Sequence, residues 1–543
     1  MRRFKKYRIV ILLVGVIFIS FSFKSKFFEV AKQLEIYTTL YKELNMYYVN
    51  EINPAEFTNK AIKNTLKDLD PYTNYYDEQE VEEAKIRREG EYAGIGVSVY
   101  YDDAGITLLE IYKGYEADKK GLKAGDVITK VENQSLQNLE RDQLSEFLKG
   151  APNTSLDIEV LRNGQPMKFT VVTEKVVVNP VPFYDLIDEE TGYIVLTRFN
   201  EKASSEVMKA FKDLKKRGMK NLVFDLRGNL GGSLGEAINI CNFFLPKGKT
   251  IVSTKAKVKK WSNTYKGTKN PLDLDMPVAV LVNGRSASAS EIVAGALQDY
   301  DRAVIFGERS FGKGLVQRYR TLTYGTQLKV TIAKYYTPSG RCIQELDYAN
   351  RDENGDVPKF SDGTVTPFQT TNGRTVYDGG GVLPDVLIGY SKRNESTKNL
   401  VSSRAIFNFG TDYFYKNPSI SPPSKFSFKE KDFTAFQNYI LTTDTSFKTK
   451  QETLFETAYE ALENNKGVKK EYAQIKKKLN QDKVKEITKN KEYLTDLIKD
   501  DLLKRYYYQE GAYQSKLTND KVVLEAVKVL KNKSKYSKIL SGS

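Results

Sequence analysis

Three short apolar runs, Gly192–Leu196, Asn221–Leu226 and Pro277–Val282, constrain this chain more than any other feature. Each reads as a strand. A helical pattern through Lys216 separates the first two, and Asn283-Gly284 breaks the third into small residues and a helical pattern running to Leu297. Strand, helix, strand in that order predicts a βαβ layout. Two turns sit at its strand ends. One is glycine-rich, Asp225-Leu226-Arg227-Gly228-Asn229-Leu230-Gly231-Gly232-Ser233, and the other holds Ser286, Ser288 and Ser290. Glycines let the backbone approach another group closely. The first turn lacks the Walker lysine and the Gly-x-Gly-x-x-Gly spacing, so phosphate binding is the weaker reading.

The sequence contains no histidine, which removes the commonest general base and excludes a Ser-His-Asp triad. A serine at a helix N-terminus still has free N–H groups beside it to hold an oxyanion. Its base then has to be a lysine whose ammonium is disfavoured by burial. Lys313 fits, lying between Gly312 and Gly314 beside Phe311 and Leu315, whereas most other lysines stand in charged segments. The residues alone do not choose among the three serines. Two cysteines, Cys241 and Cys342, are too few for a thiolate metal site or a disulfide framework and read as free thiols. The net charge of +15 is spread along the chain without a nucleic-acid-binding signature.

Five basic residues precede the apolar run Ile9–Phe23, so residues 1–26 read as an export signal or a membrane anchor, and the lack of an evident cleavage site favours the uncleaved anchor over a cleaved signal. Leu34, Tyr37, Leu40, Tyr41, Leu44 and Tyr48 give residues 27–90 a helical period. From 91 to 175 short strands and glycines take over. Tyr92-Ala93-Gly94-Ile95-Gly96-Val97, Gly121–Ile128 and Leu156–Gly164 resemble a PDZ domain, in which the loop Tyr92 to Gly96 would offer N–H groups to a chain-terminal carboxylate and the next strand edge would pair with the peptide. Residues 247–276 read as a loop across the mouth of the site, 345–378 as an inserted surface loop, and 391–543 as mainly helical.

Ser286-Ala287-Ser288-Ala289-Ser290-Glu291, the helix to Asp299, and Phe311-Gly312-Lys313-Gly314-x-x-Gln317 resemble the signature of the carboxy-terminal processing peptidases, the tail-specific proteases of serine peptidase family S41. The glycine turn, Leu69-Asp70-Pro71, Thr337–Arg341 and Leu383-Pro384-Asp385 resemble further family segments in the family's order. The resemblance implies an α+β multidomain chain: a helical N-terminal subdomain, a β-barrel-like PDZ domain, an α/β protease core over 180–390 and a helical C-terminal extension. The family spacing of 25 residues between nucleophile and lysine selects Ser288 with Lys313. It implies that Gln317 orients the lysine, that Asp299 is structural, and that an oxyanion hole is formed by the N–H groups of Ala289 and of Gly231 or Gly232. Ser286 and Ser290 read as packing residues of the turn. The expected activity is extracytoplasmic, cofactor-free and metal-free endopeptidase cleavage of proteins with apolar C-terminal tails. The alternative is an inactive PDZ scaffold. The partner of residues 391–543, a second copy or an adaptor, stays open.

Overall fold

A computed structural model describes residues 27–139, 141–148, 151–353, 355–360, 365–390, 392–462 and 468–542; the expected anchor, 1–26, lies outside them. Among the described residues no helix is long and apolar enough to cross a membrane. The chain divides into two compact units, one of residues up to 76 with Tyr319–Val330, the other of Asp77–Arg318 with Thr331 onward.

In the first unit α1 (27–47) and α2 (Pro54–Lys67) precede β1 (Asn74–Tyr76), which pairs antiparallel with Gln327–Lys329. Asn53 caps α2 by accepting the Ala55 and Glu56 N–H groups, satisfying donors that a helix start leaves open. Asp70 shapes the next turn: Oδ1 accepts the Tyr72 and Thr73 N–H groups and Oδ2 the Thr73 hydroxyl. The periodic residues Leu34, Tyr37 and Leu40 of α1 are exposed.

The second unit begins with α3 (Glu78–Glu89) and the PDZ domain: β2 (Glu91–Gly94), β3 (Val97–Asp102), β4 (Gly105–Ile111), β5 (Val127–Val131), α4 (Arg141–Glu146), β6 (Ser155–Arg162), β7 (Gln165–Val172) and β8 (Glu174–Val177). Strands β3-β4-β5-β6-β7 lie in that antiparallel order, and β2 pairs separately with β8. Ile106, Leu108, Ile128 and Val160 fill the core. Because β3 ends the sheet, one of its edges is unpaired, with α4 packed beside it.

The α/β core follows: β9 (Phe183–Leu186), β10 (Thr191–Val195), α5 (Ala203–Lys216), β11 (Asn221–Asp225), α6 (Leu234–Phe244), β12 (Thr250–Ala256), β13 (Thr264–Lys266), β14 (Val278–Val282), α7 (Ala289–Asp299), β15 (Val304–Gly307), β16 (Leu315–Thr321), β17 (Gln327–Tyr336) and β18 (Val386–Leu387). The main sheet runs β9-β10-β11-β14-β15-β18, antiparallel only at β9. Residues 247–276 contain the strands β12 and β13, paired with each other, and β12 also pairs with Ala333–Tyr336 of β17, so that segment is more ordered than the expected loop. Nor is 345–378 wholly a surface loop: Arg374 from it is buried against Asp301 and Asp385.

From β10 to β15 each crossover advances one strand in the same direction. Right-handed crossovers that never reverse place their helices on a single face. Helices α5, α6 and α7 accordingly pack against Ile194, Phe224, Val280 and Ile305. The alternate residues Val195, Val223, Leu281 and Phe306 point to the opposite face, and the C-terminal extension covers it.

That extension comprises α8 (Glu395–Ser402), α9 (Ala405–Lys416), α10 (Glu430–Thr442), α11 (Lys450–Glu460), α12 (Lys469–Thr488), α13 (Lys491–Asn519, interrupted at Tyr508), α14 (Lys521–Lys531) and α15 (Lys533–Ser541). Phe409, Phe433, Phe436 and Ile498 belong to a core of its own. Val522, Val523, Ala526, Val529 and Leu530 instead meet the open face of the main sheet, and the Tyr536 hydroxyl donates to the Val278 carbonyl.

Candidate active site

Ser288 stands where β14 turns into α7, with φ 55° and ψ −112°. A left-handed φ is costly for a residue with a Cβ, and neighbouring bonds hold it there. The Ser288 carbonyl accepts the Glu291 and Ile292 N–H groups and the Tyr335 hydroxyl. Ser286 and Ser290 are fully buried. Their hydroxyls donate to the Leu226 and Asn229 carbonyls of the glycine turn, which ties the two turns together, while Ser288 stays half-buried.

Lys313 lies on the segment leading into β16, and the glycines on either side have steric reasons. Gly312 has φ 85°, and a Cβ there would come 2.7 Å from the Glu345 Cβ; one on Gly314 would meet the Gln344 nitrogen at 2.8 Å. The Phe311 N–H donates to the Ser286 carbonyl, which brings this segment to the serine turn. Glu291 completes the junction. Its Oε2 accepts the Ser288 N–H at 2.8 Å and the Lys313 N–H at 2.9 Å. Its Oε1 accepts the Ser310 hydroxyl and the Gly312 N–H, both at 2.6 Å. One carboxylate oxygen thus sets the main-chain nitrogens of Ser288 and Lys313 no further apart than two hydrogen bonds. Burial pushes the Glu291 carboxyl up to about 6, against the pull of its four donors.

The glycine turn lies alongside. A Cβ on Gly231 would stand 2.7 Å from the Ala287 carbonyl oxygen, 2.9 Å from the Ala289 nitrogen and 2.9 Å from the Ser288 Cβ, so only glycine fits. The Gly231 N–H is already given to Asn229 Oδ1 at 2.9 Å. The N–H groups of Ala289 and Gly232 donate to no acceptor among the described residues. Asn229, fully buried, also donates to the Leu196 carbonyl, and its own carbonyl accepts the Ala287 N–H. At the start of the turn Arg227 binds Asp225 through Nε and Nη2. Burial alone would raise the Asp225 carboxyl, but the adjacent guanidinium outweighs it and holds the group below its usual range.

Gln317, on β16, gives its amide to the Thr331 hydroxyl at 3.2 Å. Asp299, at the far end of α7, is buried, forms an ion pair with the equally buried Arg341 at 2.8 Å, and accepts the Ser339 N–H. Both cysteines are free. In the PDZ domain, Tyr92 and Ala93 lie on β2 and Gly94 ends it; Ile95 and Gly96 lead into the β3 edge. The Ile95 and Gly96 N–H groups meet no acceptor among the described residues. Gly96 has φ 80° and admits no Cβ, because Tyr115 stands 2.2 Å from where one would lie. The Tyr92 hydroxyl donates to the Val97 carbonyl, and its ring covers Gly94.

The roles of Asn229, Tyr335 and Arg227 carry no sequence signal of their own. Glu291 does carry one, as the fourth residue of Ser-x-x-Glu, but that spacing speaks of a helix cap and not of the lysine 22 residues on.

The class of the protein, a serine protease with a PDZ domain, comes from sequence comparisons. Peptidase family S41 matches residues 190–349, the PDZ domain 83–161, and a C-terminal helical domain of probable PDZ-proteases 396–530. The chain is 32% identical over 370 residues to the "Probable CtpA-like serine protease" of Staphylococcus aureus, covering 66% of this chain and 73% of that protein. It is 33% identical over 321 residues to the "Carboxy-terminal-processing protease" of Bartonella bacilliformis, covering 58% and 73%. Among solved structures the photosystem II D1 C-terminal processing protease is similar, with 26% identity, a TM-score of 0.37, and coverage of 64% of this chain and 85% of that one. The chain belongs to peptidase family S41, the carboxy-terminal-processing serine proteases.

Proposed function

We propose that this protease is an extracytoplasmic endopeptidase, anchored by residues 1–26, that cleaves through a Ser288–Lys313 dyad. The shared bond of Glu291 Oε2 to both main-chain nitrogens carries the reading. Neutral Lys313 takes the Ser288 hydroxyl proton as Oγ attacks the scissile carbonyl carbon. The oxyanion is held by the open N–H groups of Ala289 and Gly232. Gly232 is assigned in preference to Gly231, whose N–H donates to Asn229 Oδ1 and whose missing side chain leaves room. Protonated Lys313 then delivers its proton to the leaving amine, and water, deprotonated by the same lysine, releases the acyl group. Gln317 orients the lysine. The PDZ domain receives the substrate's terminal carboxylate on the Ile95 and Gly96 N–H groups, with the tail added as a strand to the open β3 edge. Ser288→Ala, incubated with a protein bearing an apolar C-terminal tail and followed by mass spectrometry, is expected to stay folded and yield no cleavage products; products at the wild-type rate refute the dyad.

A further inference from the structure

Arg227, at the head of the glycine turn, is held from two sides by acids, one two residues away and one 293 residues away. Asp225 takes Nε and Nη2, while Nη1 donates to Asp520 Oδ2 at 2.7 Å. Asp520 belongs to the C-terminal extension, and its other oxygen accepts the Val522 and Val523 N–H groups, capping α14. Both side chains are more than four-fifths buried, so the contact is partly shielded from water and strongly directional. The arginine is followed at once by Gly228, whose N–H donates to Asn283 Oδ1, and the same turn ends at Gly231 and Gly232 beside Ser288. The extension therefore reaches the loop that supplies an oxyanion donor.

The helix that delivers Asp520 is fastened to the PDZ domain near its middle, at the break. Arg505 donates to the Ala124 carbonyl, Lys113 pairs with Glu510, and the Tyr508 hydroxyl donates to Asp118 Oδ1 at 2.7 Å. Asp118 follows Ala117, whose N–H donates to the Ile95 carbonyl in the tail-binding loop. At this junction α13 is broken: Tyr508 has φ 57° and ψ −169°, a conformation costly for a residue with a large side chain.

We propose that Asp520 is a positioning residue of the protease site, acting through Arg227 on the glycine turn, and that the broken helix α13 couples this contact to occupancy of the PDZ loop. This rests on the assignment of Ser288 as nucleophile. A tail seated on Ile95 and Gly96 bears on the Ala117-Asp118 turn. Tyr508 passes that change along α13, and Asp520 sets the register of Arg227 and the loop behind it. No new group touches the substrate; what changes is the fraction of molecules whose oxyanion donors are in place.

The test uses the full-length chain as wild type, Asp520→Asn, Tyr508→Phe and the double variant, with Ser288→Ala in parallel. Substrates are one peptide with a free apolar C-terminus and the same peptide with that terminus amidated. Asparagine caps a helix about as well as aspartate, so α14 keeps its start while the charge facing Arg227 is lost. Asp520→Asn is expected to lower kcat about tenfold with KM nearly unchanged, read well below a melting temperature that falls with the lost ion pair. Tyr508→Phe is expected to shrink the kcat advantage of the free-carboxylate peptide, and the double variant to match Asp520→Asn alone. A wild-type kcat in Asp520→Asn, an intact carboxylate advantage in Tyr508→Phe, or effects that multiply in the double variant each overturn the proposal while leaving an inert Ser288→Ala, and hence the dyad, standing. Cleavage by Ser288→Ala overturns both.

Discussion

Glu291 shows how one side chain joins the two pieces of backbone that carry the proposed dyad. Fully buried, it is surrounded by four donors, those of Ser288, Ser310, Gly312 and Lys313, with the Tyr335 ring nearby. A carboxyl proton there has to displace one of them, because a protonated oxygen donates and no longer accepts on that side. Its folded value of about 6 lies above the unfolded glutamate value of about 4.3. The neutral form is therefore favoured by folding: the contribution is full below the unfolded value and is lost as pH rises through about 6. The amount is about 2 kcal/mol. The proposed dyad needs the opposite, the anion that holds both nitrogens. In wild type, log kcat/KM below pH 6 should rise with a slope one unit steeper than in Glu291→Gln, the extra proton being that of Glu291. Glu291→Gln should also be slower at neutral pH. Its urea stability relative to wild type should improve by about 2 kcal/mol between pH 4 and pH 8. An unchanged slope removes Glu291 from the acid limb.

Helix α7 is fixed at both ends by different means, and the difference separates what local sequence makes legible from what it does not. At its start the βαβ alternation, the glycine turn and the absence of histidine led to a serine beside a lysine, all local patterns. The choice of Ser288 came from family spacing, since Ser286, Ser288 and Ser290 are chemically alike and differ only in what lies across from them: carbonyls of a turn some 60 residues away in the case of Ser286 and Ser290. At its far end Asp299 meets Arg341, Gln298 meets Asp385 and Arg341, and Arg374 meets Asp301 and Asp385. The motifs Thr337–Arg341 and Leu383-Pro384-Asp385 thus converge as one buried ion-pair cluster. Their order was legible, whereas their meeting required the tertiary fold. Removing one partner of a buried pair strands the other, at a cost of about 3–5 kcal/mol. Asp299→Ala should lose that much stability by denaturant unfolding while the fraction still folded keeps its kcat; a lower kcat at full stability assigns Asp299 to the chemistry instead.

On the scale of the whole molecule, the decisive fact is that the crossovers of the protease sheet all run one way. That leaves a face of Val195, Val223, Leu281 and Phe306 without helices of its own, and α14 and α15 close it from the far end of the chain. Polar, lysine-rich letters after residue 391 hid this, because the covering stripe is only a few residues wide on otherwise charged helices. Pairings separated by hundreds of residues, such as Arg227 with Asp520, leave no mark in local sequence. Burying Val522, Val523, Val529 and Leu530 removes aliphatic surface worth about 1.5–3 kcal/mol per side chain, together comparable to the entire stability of a typical domain, about 5–15 kcal/mol. The extension is therefore part of the protease core as well as a neighbour of the PDZ domain. A chain ending at Asn519 retains every residue of the proposed dyad and oxyanion site, yet it should expose this face, bind a hydrophobic dye, aggregate and show no cooperative melt of the core. A soluble, cooperatively folding Asn519 truncation would show that the sheet face tolerates water and that α14 and α15 are dispensable to the fold.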